Sequence, residues 1–137
     1  MAKYTDHLTG DFEQIVEFIH EDLWQQSASL SLEETYETTV EEKRIIQRVY
    51  ERFSYTGGNR ASLSVLFTET EDGADVCGIA TGGSQALFWK INTIGEHAFL
   101  ETLESAVNRW KSNAGADPII PVLSIPKTVI LGIVISI

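Results

Sequence analysis

Three runs of alternating apolar and polar residues between Arg44 and Thr81, separated by short turn signals, restrict the fold more than any other feature of the sequence. In RIIQRVYERFSY (44–55), Ile45, Val49 and Phe53 point to one side, and Arg44, Arg48, Tyr50 and Arg52 to the other. Thr56-Gly57-Gly58-Asn59 reads as a turn, after which ASLSVLFTET places Leu63, Val65 and Phe67 on one face. Glu71-Asp72-Gly73 is a second turn, and Val76 to Thr81 is a third strand. Strands joined this tightly lie antiparallel beside each other, so the middle of the chain is a meander sheet.

Helical periodicity flanks the meander. Asp11 followed by Gln14 has the form of a helix cap, and Phe12, Ile15, Val16, Ile19 and Leu23 then recur at helical spacing to about Gln26, with Glu13, Glu17 and Glu21 on the wet side. Ser27 to Ser31 ends that helix, and Leu30 and Leu32 alternate with serine as a short strand would. The acidic segment Glu33 to Glu42 reads as strand or loop from its threonines and Val40. In the third strand, Gly78 and Ala80 leave little side-chain volume on one face, which predicts a helix packed closely there.

Gly82, Gly83 and Ser84 form a structural hinge in this reading, leading to a further strand over Gln85 to Asn92. Thr93-x-x-Glu96 is a capping box for a second helix, striped with Phe99, Leu103, Ala106, Val107 and Trp110 and ending near Lys111. The predicted class is α+β: two layers, an antiparallel meander of four to five strands, and N- and C-terminal helices on one face, in the order α-β-β-β-β-β-α. Residues 1–111 make this domain. Residues 112–137 form a tail with all three prolines, Pro118, Pro121 and Pro126, and Lys127 as the one charge after Asp117. Its last ten residues, TVILGIVISI, are too short to span a membrane and β-branched enough to favour a strand, although peripheral membrane contact is open to them.

Charge narrows the function. Residues 1–42 hold eleven carboxylates against Lys3 alone, which accounts for the whole net charge of −10. Such a surface disfavours phosphate backbones, so a general nucleic-acid binder is disfavoured. One cysteine, Cys77, in an apolar strand pattern gives no disulfide framework and reads as a small core residue; together with an N-terminus that has no apolar run, it points to the cytoplasm.

No catalytic or metal-binding constellation emerges, and no cofactor is implied. Gly78-x-x-x-x-Gly83 has the glycine spacing of a phosphate loop, but Ser84 and Gln85 stand where Lys and Ser or Thr are needed. Gly82-Gly83-Ser84-Gln85-Ala86 approaches a nucleophile elbow, whose strand-to-helix turn this reading does not provide. His20-Glu21 lacks the second histidine of a zinc helix, Glu17-x-x-His20 is half of a di-iron motif, and His7, His20 and His97 read as solvated surface residues.

The remaining candidate is the strand face lined by Arg44, Arg48, Tyr50 and Arg52, read as the outer face of the sheet. Guanidinium forks beside an aromatic ring suit a small anionic ligand, an acidic protein or a second copy of the chain. The competing reading is internal pairing with Glu33, Glu37, Glu69 and Glu71.

The blocks KYTDHLTGDFEQIVEFIHED, RVYERFS at 48–54 and GGSQALFWKINTIGEHAFLETL at 82–103 resemble a family of short bacterial proteins of unknown function, found in Firmicutes, over about residues 3–111. That resemblance implies no activity or ligand, and the tail from Ser112 departs from its pattern. A binding or self-associating module is the first expectation. The alternatives are a ligand carrier or enzyme with a pocket between sheet and helices, beneath Phe88, Trp89 and Phe99, and a membrane-peripheral protein held by its tail.

Overall fold

In a computed structural model that describes residues 1–53, 60–82 and 89–116, the chain runs β1 (Ala2–Thr9), α1 (Phe12–Gln26), β2 (Ser31–Val40), β3 (Lys43–Phe53), β4 (Arg60–Glu69), β5 (Gly73–Gly82) and α2 (Trp89–Ala116). The strands form one antiparallel sheet ordered β1-β5-β4-β3-β2. The two-layer α+β class and the meander are therefore as the alternation required. Two elements differ from the expected order.

The first is β1, a strand before the first helix that sequence reading did not foresee. Its inward residues are Ala2, Tyr4, Asp6 and Leu8, alternating with outward Lys3, Thr5, His7 and Thr9, so the pattern of a half-buried strand is present and broken only by the charge at Asp6. The strand exists because β5 offers an edge, which β1 pairs from Ala2 opposite Ala80 to Thr9 opposite Gly73. The second difference follows from the first. With β4 on one side of β5 and β1 on the other, β5 itself has no edge left for a strand after Gly82. Trp89 to Asn92 are accordingly helical, and Thr93-x-x-Glu96 lies inside α2 rather than capping it. α2 also continues to Ala116, past the expected end at Lys111. Gly82 closes β5 opposite Ala61, while Gly83, Ser84, the 85–88 segment, the Thr56 to Asn59 turn and the tail from 117 lie outside the described residues.

The caps and stripes explain the helix layer. Asp11 accepts a hydrogen bond from the Gln14 backbone N–H at 3.0 Å, and Phe12, Ile15, Val16, Ile19 and Leu23 are all buried. Phe99, Leu103, Ala106 and Val107 of α2 are buried with them against Leu8, Val76, Ala80, Leu63, Val65 and Phe67. A Cβ at Gly78 would meet Leu103 Cδ2, which is the close helix approach expected from Gly78 and Ala80. The helices are tied by a forked pair, Arg109 donating from Nε and Nη2 to the two Asp22 oxygens at 2.7 Å each. Arg109 and, against it, partial burial leave the Asp22 carboxyl below its ordinary range.

Candidate functional site

The arginine-bearing face of β3 is turned toward the helices, not outward as expected. Tyr50 is completely buried and Ile46 nearly so, whereas Ile45 and Val49 lie on the uncovered side and Phe53 is half exposed there. The inversion has a physical cause. Three aliphatic or aromatic residues (Ile45, Val49, Phe53) outnumber Ile46 and Tyr50, but β3 sits near the margin of the helix layer, where a core-side position can keep a charged end at the boundary while its stem is covered.

Each arginine meets a different neighbour along this seam. Arg44 donates to Glu13 of α1 at 2.6 Å and to Glu37 of β2 at 2.6 and 3.0 Å, and its guanidinium lies 5.5 Å from the Phe12 ring. Its backbone N–H donates to Glu69 at 2.8 Å. Arg48 stands 3.6 Å from Glu17, with its Nε buried and without a hydrogen bond. Arg52 has no carboxylate partner among the described residues; it lies over Phe99 at 4.4 Å, and burial lowers its pKa. Internal pairing through Glu37 and Glu69 thus holds for Arg44, and α1 adds Glu13 and Glu17, which strand-to-strand reasoning missed. Glu13 and Glu17 lie one turn apart on α1, about 6 Å, whereas Arg44 and Arg48 lie four residues apart on β3, about 13 Å, so no shared spacing in the sequence signalled these pairs.

His20 also differs from its expected solvated state. Its Nδ1 is 2.8 Å from the Tyr50 hydroxyl, and its ring stacks on Trp24 with centroids 5.5 Å apart. Burial, then the nearby Arg48 charge, lowers the His20 pKa, and burial pushes the Tyr50 hydroxyl up to about 12. The pair is thus a neutral imidazole on a neutral phenol, which satisfies a buried hydroxyl. His97 is exposed on α2, as expected.

His7 lies on the other side of the sheet, in β1, held between Asp75 at 2.7 Å from Nδ1 and Asp72 at 3.0 Å from Nε2. Because a carboxylate accepts at each nitrogen, both must donate, which selects the imidazolium and raises the His7 pKa through Asp75 first. The two histidines therefore oppose each other in pH. The His7 contribution is complete below the unfolded value of ~6.5 and fades as pH rises through its higher folded value. His20 acts the other way: stability falls as pH drops below ~6.5 toward its lower folded value. In urea unfolding between pH 5 and 9, His7→Asn should lower stability most at the acid end, and His20→Gln should remove an acid-side loss. Parallel profiles for both variants and the parent chain would contradict these assignments.

The uncovered face of the sheet is the larger unpartnered surface among the described residues. One row across it runs Lys3, Ile79, Ser64, Val49, Glu34, and the next runs Thr5, Cys77, Leu66, Gln47, Tyr36. Ile79 is 38% exposed, Leu66 37% and Tyr36 62%. Cys77, expected in the core, is a half-buried free thiol on this face, because its register partners Thr5 and Leu66 are outward residues. Beside it lies a shallow depression of about 360 Å³ lined by Thr5, Leu66, Thr68, Asp75 and Cys77. Beneath the helices a Cβ at Gly78 would meet Leu103 with Leu100 close by, while Phe88 and the Trp89 side chain of the expected pocket lie outside the described residues.

A model described as a family of unknown function, DUF6054, matches residues 1–111. The chain belongs to that family. The match takes in the whole sheet, α1 and α2 as far as Lys111, so the arginine seam and the uncovered face both lie in the DUF6054 part. No curated protein and no solved structure matches the chain. Among the described residues, no helix is long and apolar enough to cross a membrane, and no group of three or more His, Cys, Asp or Glu is placed to hold a metal ion.

Proposed function

We propose that this DUF6054 chain is a binding or self-associating module of the bacterial cytoplasm that meets its partner through the uncovered face of the sheet. The observation that carries this reading is a five-stranded face that no other described residues cover, on which Ile79, Leu66 and Tyr36 remain exposed between strands. The arginine seam supports it indirectly, since Arg44 and Arg48 spend their charge on Glu13, Glu37 and Glu17 of the same chain. The cytoplasmic setting rests on the unpaired thiol and the acidic composition.

Cys77 supplies the test, because its thiol sits in the middle of the proposed contact surface. Alkylation of Cys77 by iodoacetamide should slow several-fold when the dilute purified chain is concentrated or placed in host extract, while a denatured control stays fast. Equal rates in all native conditions would remove the reading.

A further inference from the structure

We infer that the occupant of the uncovered face is a second copy of the chain, packed face to face about a two-fold axis that runs along β4. This rests on the binding reading above and names its partner. The charges of the face are self-complementary about that axis. In the row Lys3, Ile79, Ser64, Val49, Glu34, the ends carry opposite charges, and among the described residues neither Lys3 nor Glu34 has an ion-pair partner in its own chain. A rotation about an axis along the central strand β4 reverses each row over itself. Lys3 of each copy then faces Glu34 of the other, and Ile79 faces Val49. In the neighbouring row Leu66 falls on the axis against its own copy, and Thr5 faces Tyr36.

An axis across the strands fits worse, since it would bring Lys3 over His7, which Asp72 and Asp75 hold as a cation. About the β4 axis the one acid laid over an aliphatic residue is Asp75 over Ile45, and His7 already neutralises it. Net charge also favours this face. Of the other charges on it, Lys43 pairs with Glu71 at 3.3 Å and Arg60 with Glu51 at 2.6 Å and Glu33 accepts from the Ser31 hydroxyl at 2.6 Å, whereas Glu13, Glu17 and Glu21 belong to α1 in the opposite layer. Size is sufficient: strands ~4.8 Å apart with about seven residues each at ~3.4 Å give roughly 600 Å² in plan. The pleated, side-chain-covered surface exceeds that and approaches the ~800 Å² per partner of a standard interface. Sheets packed this way align their strands within about 30° and interleave side chains, as Leu66, Ile79 and Val49 would here.

The experiment is sedimentation of the full chain with four variants. The parent chain should sediment as two copies at micromolar concentration. Leu66→Cys in a Cys77→Ala background should form an interchain disulfide under mild oxidation, because the residue sits on the axis. Leu66→Lys, folded by circular dichroism, should sediment as one copy. Lys3→Glu alone should weaken the pair roughly tenfold, and Lys3→Glu with Glu34→Lys should restore it. A one-copy mass for the parent chain at about 100 micromolar, a failure of the Leu66→Cys variant to cross-link, or a double swap no better than the single would overturn the inference. If the mass is one copy yet Cys77 is shielded in extract, the binding face stands and only self-association fails. A two-copy mass that survives Leu66→Lys places the contact elsewhere and overturns both.

Discussion

Gly73→Ala should be strongly destabilising, costing about 3 kcal/mol. A Cβ at Gly73 would overlap the Leu8 carbonyl oxygen and sit 2.8 Å from Thr9 Cα. Both are backbone atoms of β1, so no rotamer change relieves the overlap. Moving β1 would break its pairing with β5 from the Thr9 end and disturb two bonds beside it, Gly10 N–H to Asp72 O and Thr70 N–H to Gly73 O, each 2.9 Å. Gly78→Ala is the control. Its Cβ would meet the end of the buried Leu103 side chain, which a rotamer shift can move where backbone atoms cannot, so a smaller overpacking cost of ~1–2 kcal/mol is expected. Urea unfolding of both variants checks the order, and a Gly73→Ala cost no greater than that of Gly78→Ala would show that the β1 edge yields. The same variant bears on the proposed pairing of two copies, because β1 carries Lys3 and His7 onto the uncovered face.

How much was legible in the sequence depended on how local each determinant was. The first helix was legible to the residue, because Asp11 and the stripe from Phe12 to Leu23 speak for themselves. The strands β3, β4 and β5 were legible because alternation and turns are local too. β1 was not read as a strand although Ala2, Tyr4 and Leu8 alternate with Lys3, Thr5, His7 and Thr9, because Asp6 interrupts the pattern and the edge of β5 it pairs with lies some seventy residues away. β1 occupies the edge of β5 on which a strand over 85–92 would have paired. Which face of β3 is inside was likewise a tertiary matter. Counting apolar residues favoured Ile45, Val49 and Phe53, but the helices cover Ile46 and Tyr50 and reach over the arginines with Glu13 and Glu17. The candidate site inherited that inversion. Arg44, Arg48, Tyr50 and Arg52 do share a face, as expected, but they belong to the helix–sheet seam. The uncovered face instead carries Ile79, Leu66 and Cys77, which had been assigned to no surface.

Replacing Glu41-Glu42 by Asn-Gly should stabilise the chain by about 1–2 kcal/mol. These residues join β2 to β3 with φ of 50° and 71°, both in the left-handed region. Two such residues at the centre of a two-residue connection match the twist of the flanking strands, and the pairing closes directly on Val40 opposite Lys43. Glutamate fits this backbone badly, because its Cβ crowds the following carbonyl, while Asn tolerates it and Gly has no Cβ to clash. Adjacent carboxylates at a tip already bordered by Glu37 and Glu71 add repulsion, which salt would screen. The gain should therefore persist in high salt as a backbone effect, somewhat reduced, and raise the melting temperature by roughly 3–5 °C per kcal/mol at this domain size. Thermal unfolding at low and high salt separates the two parts. A gain that vanishes in salt would assign the whole effect to charge; no gain at all would mean that the turn holds Glu-Glu without strain. Since β2 is exposed along most of its length and depends on this turn and on β3 for its register, stiffening the turn should also steady Glu34, the acid that Lys3 of a second copy would meet. Under the face-to-face arrangement the Asn-Gly variant should associate at least as tightly as the parent chain.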